Sequence, residues 1–116
     1  MFTKTTLPGG LRLITVPMDG VSTVTILVMI DTGSNNETPE TYGTSHFLEH
    51  MFFKGTKRRP KAKIIAEEID RLGAYSNAFT SHEYTGYHIK VRAEKFAEAL
   101  DLIADIYLDA LIDPAE

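Results

Sequence analysis

In the stretch GTSHFLEHMFFKGT, residues 43–56, two of the chain's four histidines and one glutamate fall within five positions: His46, Glu49 and His50. On a helix turning about 100° per residue, His46 and His50 stand one turn apart and within about 40° of each other, with Glu49 about 60° to the other side of His46. All three side chains can face one point. Two neutral imidazoles at that spacing can hold one zinc ion, and a nearby carboxylate that does not ligate can take a proton from water. Zinc lowers the pKa of such a water and polarises a carbonyl, which is the chemistry of peptide hydrolysis. Glu49 is then the base and later the proton donor to the leaving amine.

The competing reading is a core helix that happens to carry histidines. Phe47, Leu48, Met51, Phe52 and Phe53 make the segment apolar almost all round, which predicts a buried helix. A buried helix with three ionisable groups on one arc must pair or ligate them, because isolated buried charge is very costly. The sequence has no cysteine, so any metal must be held by His, Asp or Glu.

The elements that must position these residues can be read along the chain. Residues 2–7 and 11–17 are short, rich in β-branched residues and joined through Pro8-Gly9-Gly10, which predicts a hairpin. Residues 22–30, STVTILVMI, read as a central strand buried on both faces. A polar loop over 31–41 leads to a helix from about Tyr42 to Lys54, with Thr44 or Ser45 placed to cap it and Gly55 to end it. A second helix opens at Pro60, buries Ile65, Ile69 and Leu72, and stops at Gly73. Two strands fit AYSNAFT and EYTGYHIKV. In the last helix, about Ala93 to Leu111, Phe96, Leu100, Ile103, Tyr107 and Leu111 form the apolar stripe, and Asp101, Asp105 and Asp109 read as a solvated row. The expectation is one α+β unit over residues 1–116 in the order βββααββα, a mixed, largely antiparallel sheet with helices on one face and no internal boundary.

Composition narrows the function classes. The sequence is 116 residues long, 43% hydrophobic and 24% charged, as for one globular domain. Its formal charge of −4, from 12 basic and 16 acidic residues, offers no basic stripe for nucleic acid. The start MFTKTTLPGG lacks the runs of a signal peptide, and no apolar run approaches a membrane span. The expectation is a cytoplasmic protein that binds neither nucleic acid nor membrane.

The order His-x-x-Glu-His is the inverzincin signature. HFLEHMFFKGT resembles the zinc motif of the M16 metallopeptidases, the group of insulin-degrading enzyme, pitrilysin and the mitochondrial processing peptidase. LPGGLRLI resembles that family's first hairpin, GSNNE precedes the zinc helix as in the family, and GAYSNAFTSHEYTGYHI resembles its strand pair. Ala74 stands where the family usually has a second glycine. The resemblance implies a zinc-dependent metalloendopeptidase with one Zn2+, His46 and His50 as ligands and Glu49 as general base. It also implies that Asn77, Ala78 and Phe79 lie on a strand that binds the peptide substrate by β-addition.

Two histidines leave a catalytic zinc site one protein ligand short. The resemblance implies a glutamate beyond Glu116 as the third ligand, and a C-terminal half or second M16-type subunit that closes over the substrate. The chain then reads as the N-terminal part of the enzyme, with little activity alone. In-chain acceptors Glu37, His82, Glu83, His88 and Glu116 read more simply as loop or strand-face polar residues. Two rivals stand beside the zinc reading. One is a non-catalytic subunit or interaction fragment, prone to self-association through exposed apolar surface. The other is an aspartic protease using DTGS at 31–34, which the helical second half opposes.

Overall fold

The computed structural model describes residues 1–116. Its N-terminal turn closes with the Leu7 N–H donating to the Leu11 carbonyl at 2.8 Å and the Gly10 N–H to the Leu7 carbonyl at 3.0 Å. The turn joins β1 (Thr3–Thr6) to β2 (Arg12–Thr15), antiparallel with Thr3 opposite Thr15. This hairpin is a sheet of its own, and every residue of both strands is exposed.

The second sheet holds β3 (Thr23–Ile30), β4 (Tyr75–Thr80) and β5 (Thr85–Arg92), all antiparallel, in the order β3-β5-β4. The expectation that β3 is central is corrected here: it is an edge strand, and β5 takes the centre. The apolar run in β3 misled because its outward residues are apolar too. Val24, Ile26, Val28 and Ile30 face the core, while Leu27 and Met29 point outward and are half exposed. In β5 the inward positions Tyr87, Ile89 and Val91 are almost fully buried. At about 1.5–3 kcal/mol for each large apolar side chain removed from water, they anchor the sheet.

Helices α1 (Thr44–Phe52), α2 (Ala62–Leu72) and α3 (Phe96–Leu108) lie on the sheet's inner face. The first turn of α2 starts after Lys61 rather than at Pro60, and Gly73, left-handed with φ 62°, ends it as expected. A short 3-10 turn, Ala93–Lys95, precedes α3. The buried stripe of α3 is Ala99, Leu102, Ile103 and Ile106. This corrects the expected stripe: Phe96 and Leu100 are exposed, and Ile103 alone of the predicted set is fully buried. The helix is apolar over so wide an arc that periodicity fits two stripes, and small Ala99 marks the one that packs closest to the sheet. No helix is long and apolar enough to cross a membrane.

The acidic row of α3 is corrected at one residue, Asp105. Asp105 is buried, accepting from Thr56 Oγ1 at 2.6 Å and from Arg59 Nη1 at 2.6 Å, and Asp101 accepts two bonds from Arg58. Asp101 and Asp109 keep the solvated character expected of the row, each about half exposed, the one paired with Arg58 and the other with a more distant Lys57. Backbone bonds from Lys57 to Asp109 and from Leu111 to Gly55 bring the loop after α1 alongside the end of α3. That loop supplies the two arginines that the acidic residues need.

Candidate metal centre

The helix that carries His46 and His50 begins at Gly43, which adopts the left-handed conformation with φ 85° that a side chain would strain. Neither Thr44 nor Ser45 caps it, contrary to expectation. Glu37 does so from the preceding loop: its carboxylate accepts the Gly43 N–H at 2.7 Å and the Ser45 N–H at 2.8 Å. These backbone donors, Ser45 first and Gly43 second, hold the Glu37 carboxyl below the usual carboxylate range. Glu37 is therefore a half-buried cap rather than a solvated loop residue. At its other end α1 stops at Phe52, short of Gly55, and docks through Phe52 and Phe53 on Tyr87, with ring centroids 5.3 and 6.3 Å apart.

The expected burial of α1 is corrected as well. Met51 alone is fully buried, Phe47 is 60% exposed, and the two histidines are exposed. One side of the helix faces β4, and Tyr87 of β5 at its C-terminal end, while the other faces solvent.

His46 Nε2 and His50 Nε2 stand 3.0 Å apart, and the ligand-type atoms of His46, Glu49 and His50 all lie within 4.8 Å of one another. Two nitrogens on one tetrahedral zinc, each about 2.0–2.1 Å from the ion, are separated by about 3.3 Å. The separation of the two imidazole nitrogens is within a few tenths of an ångström of what one zinc ion requires. Glu49 is half buried and turned to the strand side, where Thr80 Oγ1 donates to its Oε2. Beneath it, Tyr87 is pushed up to about 12, first by burial, then by the neighbouring Glu49 charge and by Tyr107.

Asn77, Ala78 and Phe79 lie in the middle of β4, whose far edge has no strand partner. Register with His88, Tyr87 and Gly86 turns Asn77 and Phe79 to the outer face, and the Phe79 ring covers Gly86. Asn77 Oδ1 accepts the Ala78 N–H at 2.8 Å. Phe79 also lines the shallow cleft in which His46 and Glu49 sit, beside Ser34, Thr80 and His82. Of the other acceptors, His82 lines the same cleft but pairs through Nδ1 with Ser34 Oγ at 2.9 Å, while His88 packs against Tyr75 and Phe79, and Glu116 pairs with Lys54. Sequence reasoning missed Glu37 and Thr80. Both act through contacts that cross between elements, and no local spacing signals them.

Comparison with known proteins bears on this arrangement. The family described as Insulinase (Peptidase family M16) matches residues 13–116, which include the whole candidate centre. The chain belongs to the M16 peptidase family. It is 47% identical over 116 residues to the uncharacterized zinc protease YmxG of Bacillus subtilis, covering all of this chain and 28% of that protein. It is 50% identical over 102 residues to a probable mitochondrial-processing peptidase subunit beta of Arabidopsis thaliana, covering 88% of this chain and 19% of that one. The crystal structure of a protease from Helicobacter pylori superposes with a TM-score of 0.91 at 31% identity, covering 99% of this chain and 28% of that chain. The M16 chain thus spans less than a third of the length of these relatives. Membership in the family sets the aspartic-protease reading aside, and DTGS is the turn that follows β3, with the Thr32 carbonyl accepting from Thr85 Oγ1.

Proposed function

We propose that this chain is the N-terminal, zinc-binding part of a metalloendopeptidase that hydrolyses peptides or unfolded protein segments. The observation that carries the reading is the approach of His46 Nε2 and His50 Nε2 to 3.0 Å beside the Glu49 carboxylate, on a helix docked against an open edge strand. His46 and His50 would hold the metal, which when bound supplies Lewis acidity and a water of lowered pKa. Glu49 takes up a proton on its carboxylate and returns it to the departing amine nitrogen. Asn77, Ala78 and Phe79 offer the free backbone edge of β4, to which an extended peptide adds as a further strand. The third ligand, a glutamate, and the half that closes over the substrate belong to the remaining length of the protein or to a second M16-type subunit. The short coverage of the relatives and the printed designation of one of them as a subunit support this. The cysteine-free sequence suits a reducing compartment, and the cytoplasm is the proposed place of action.

Zinc titration of the wild type, His46→Ala and Glu49→Gln tests the reading. Uptake that is lost in His46→Ala and kept in Glu49→Gln supports it, and equal uptake by wild type and His46→Ala overturns it. The exposed Leu27, Met29 and Phe47 favour a second reading, a non-catalytic interaction subunit. In that case the assembled protein shows no cleavage that depends on Glu49.

A further inference from the structure

We propose that Thr80 is a positioning residue that decides the role of Glu49, by holding its carboxylate as a base and away from the metal's coordination sphere. The inference rests on the zinc reading above. With only two imidazoles in the cluster, a third protein ligand has room to enter, and Glu49 is the carboxylate nearest to hand, with an oxygen within 4.8 Å of both ligating nitrogens. A change of side-chain torsion could bring it onto the ion. A carboxylate that ligates in this way loses its basicity, so the same residue cannot serve both roles at once.

The restraint comes from outside α1. Thr80 Oγ1 donates to Glu49 Oε2, which fixes one oxygen and leaves Oε1 to receive a proton in the cleft. Thr80 is the last residue of β4 and faces inward, and its β-branched side chain is stiff about its first torsion. The frame around it is tied down independently of the zinc helix. Its cross-strand partner Thr85 is buried and donates to the Thr32 carbonyl at 2.8 Å. The next two carbonyls, of Ser81 and His82, accept from the Ser34 and Asn35 N–H groups at 3.1 and 2.8 Å. The hydroxyl is therefore presented from a rigid strand end to a longer, more flexible glutamate.

Co2+ titration of the chain, followed by visible absorption, tests this on wild type, Thr80→Val, Thr80→Ser, Glu49→Gln and the Thr80→Val/Glu49→Gln pair. Released from its donor, Glu49 in Thr80→Val joins the cobalt ion. The spectrum then changes and affinity rises by about tenfold, the scale on which groups behind metal ligands act. Thr80→Ser restores the wild-type spectrum, and Glu49→Gln abolishes the change in the Val background while leaving the wild-type spectrum alone. A Thr80→Val protein with wild-type affinity and spectrum overturns the inference and leaves the zinc reading standing. No Co2+ or Zn2+ uptake by wild type sinks both. Should circular dichroism show Thr80→Val unfolded, Thr80→Ala carries the same outcomes.

Discussion

Arg59 Nη1 donates to Asp105 Oδ2 at 2.6 Å, and the same guanidinium grips both oxygens of Glu68 at 2.5 and 2.7 Å. One planar fork thereby joins three segments: the loop that follows α1, α2 through Glu68, and α3 through Asp105. Arginine suits this place because its five donors lie in a fixed plane and it stays charged when desolvated. Thr56 and Arg58 complete the set around Asp105. The C-terminal side of α1 is thus tied to the domain core through charge rather than through apolar packing alone.

Removing a partner from a buried ion pair costs far more than the pair itself contributes, because it strands the other charge. Asp105→Ala should therefore lower stability by about 3 kcal/mol, the low end for such sites, since Arg59 keeps Glu68. Asp109→Ala, one helical turn further on and half exposed, should change it by less than about 0.5 kcal/mol. Urea denaturation of the two variants checks this, and equal effects contradict the buried clamp.

The clamp also sets an acid limit. Hydrogen bonds from Arg59 hold Glu68 below the usual carboxylate range. Burial pushes Asp105 up, but bonds from Thr56, Arg59 and Arg58 outweigh it and leave it lowered as well. A carboxyl depressed in the fold contributes stability that is complete above its unfolded value, about 3.9 for Asp and 4.3 for Glu, and is lost as pH falls through the folded value. The urea midpoint should be flat from neutral pH to about 5 and drop below about 4. The drop should be shallower in Asp105→Asn.

Much of this architecture is legible in the sequence because it is local. His46, Glu49 and His50 are brought together by helical spacing alone, and the stop at Gly73 follows from one residue's backbone freedom. The failures share a different cause. Asp105 looked solvated because its partners Arg58 and Arg59 lie more than forty positions away, and charge patterning within α3 carries no trace of them. The strand β3 looked central because Leu27 and Met29 are apolar, yet they face outward and stay half exposed. Thr80 and Glu37 likewise act only across elements. Spacing finds residues on one element, and contacts between elements must be seen.

Glu37 should matter to metal binding without touching the metal. Its two backbone acceptor contacts fix the first turn of α1, from which His46 projects. Glu37→Ala removes both and should weaken zinc by about tenfold, the effect usual for groups behind the ligands. Glu37→Gln, whose carbonyl can still accept one N–H, should fall between. Isothermal titration with zinc orders the three proteins. Identical affinities mean that α1 is held in place by Phe52, Phe53 and Met51 alone.

The outer surface makes the last prediction. Leu27 and Met29 on β3 and Phe47 on α1 are each about half exposed, and Leu11, Leu13 and Ile14 are exposed on a hairpin that forms a sheet of its own. An isolated two-stranded hairpin is marginal in water, and the exposed outer face of β3 is apolar surface that favours association. Sedimentation of the chain should therefore show a mass that rises with concentration. Charges introduced on the outer face, Leu27→Lys with Met29→Lys, should suppress that rise and leave zinc uptake unchanged, since both residues point away from His46 and His50. Phe47→Glu separates the two surfaces: if it alone restores the monomer, the helix carries the contact, and if only the β3 pair does, the outer face of the sheet does. A clean monomer in the unaltered chain at high concentration means that this apolar surface does not drive association.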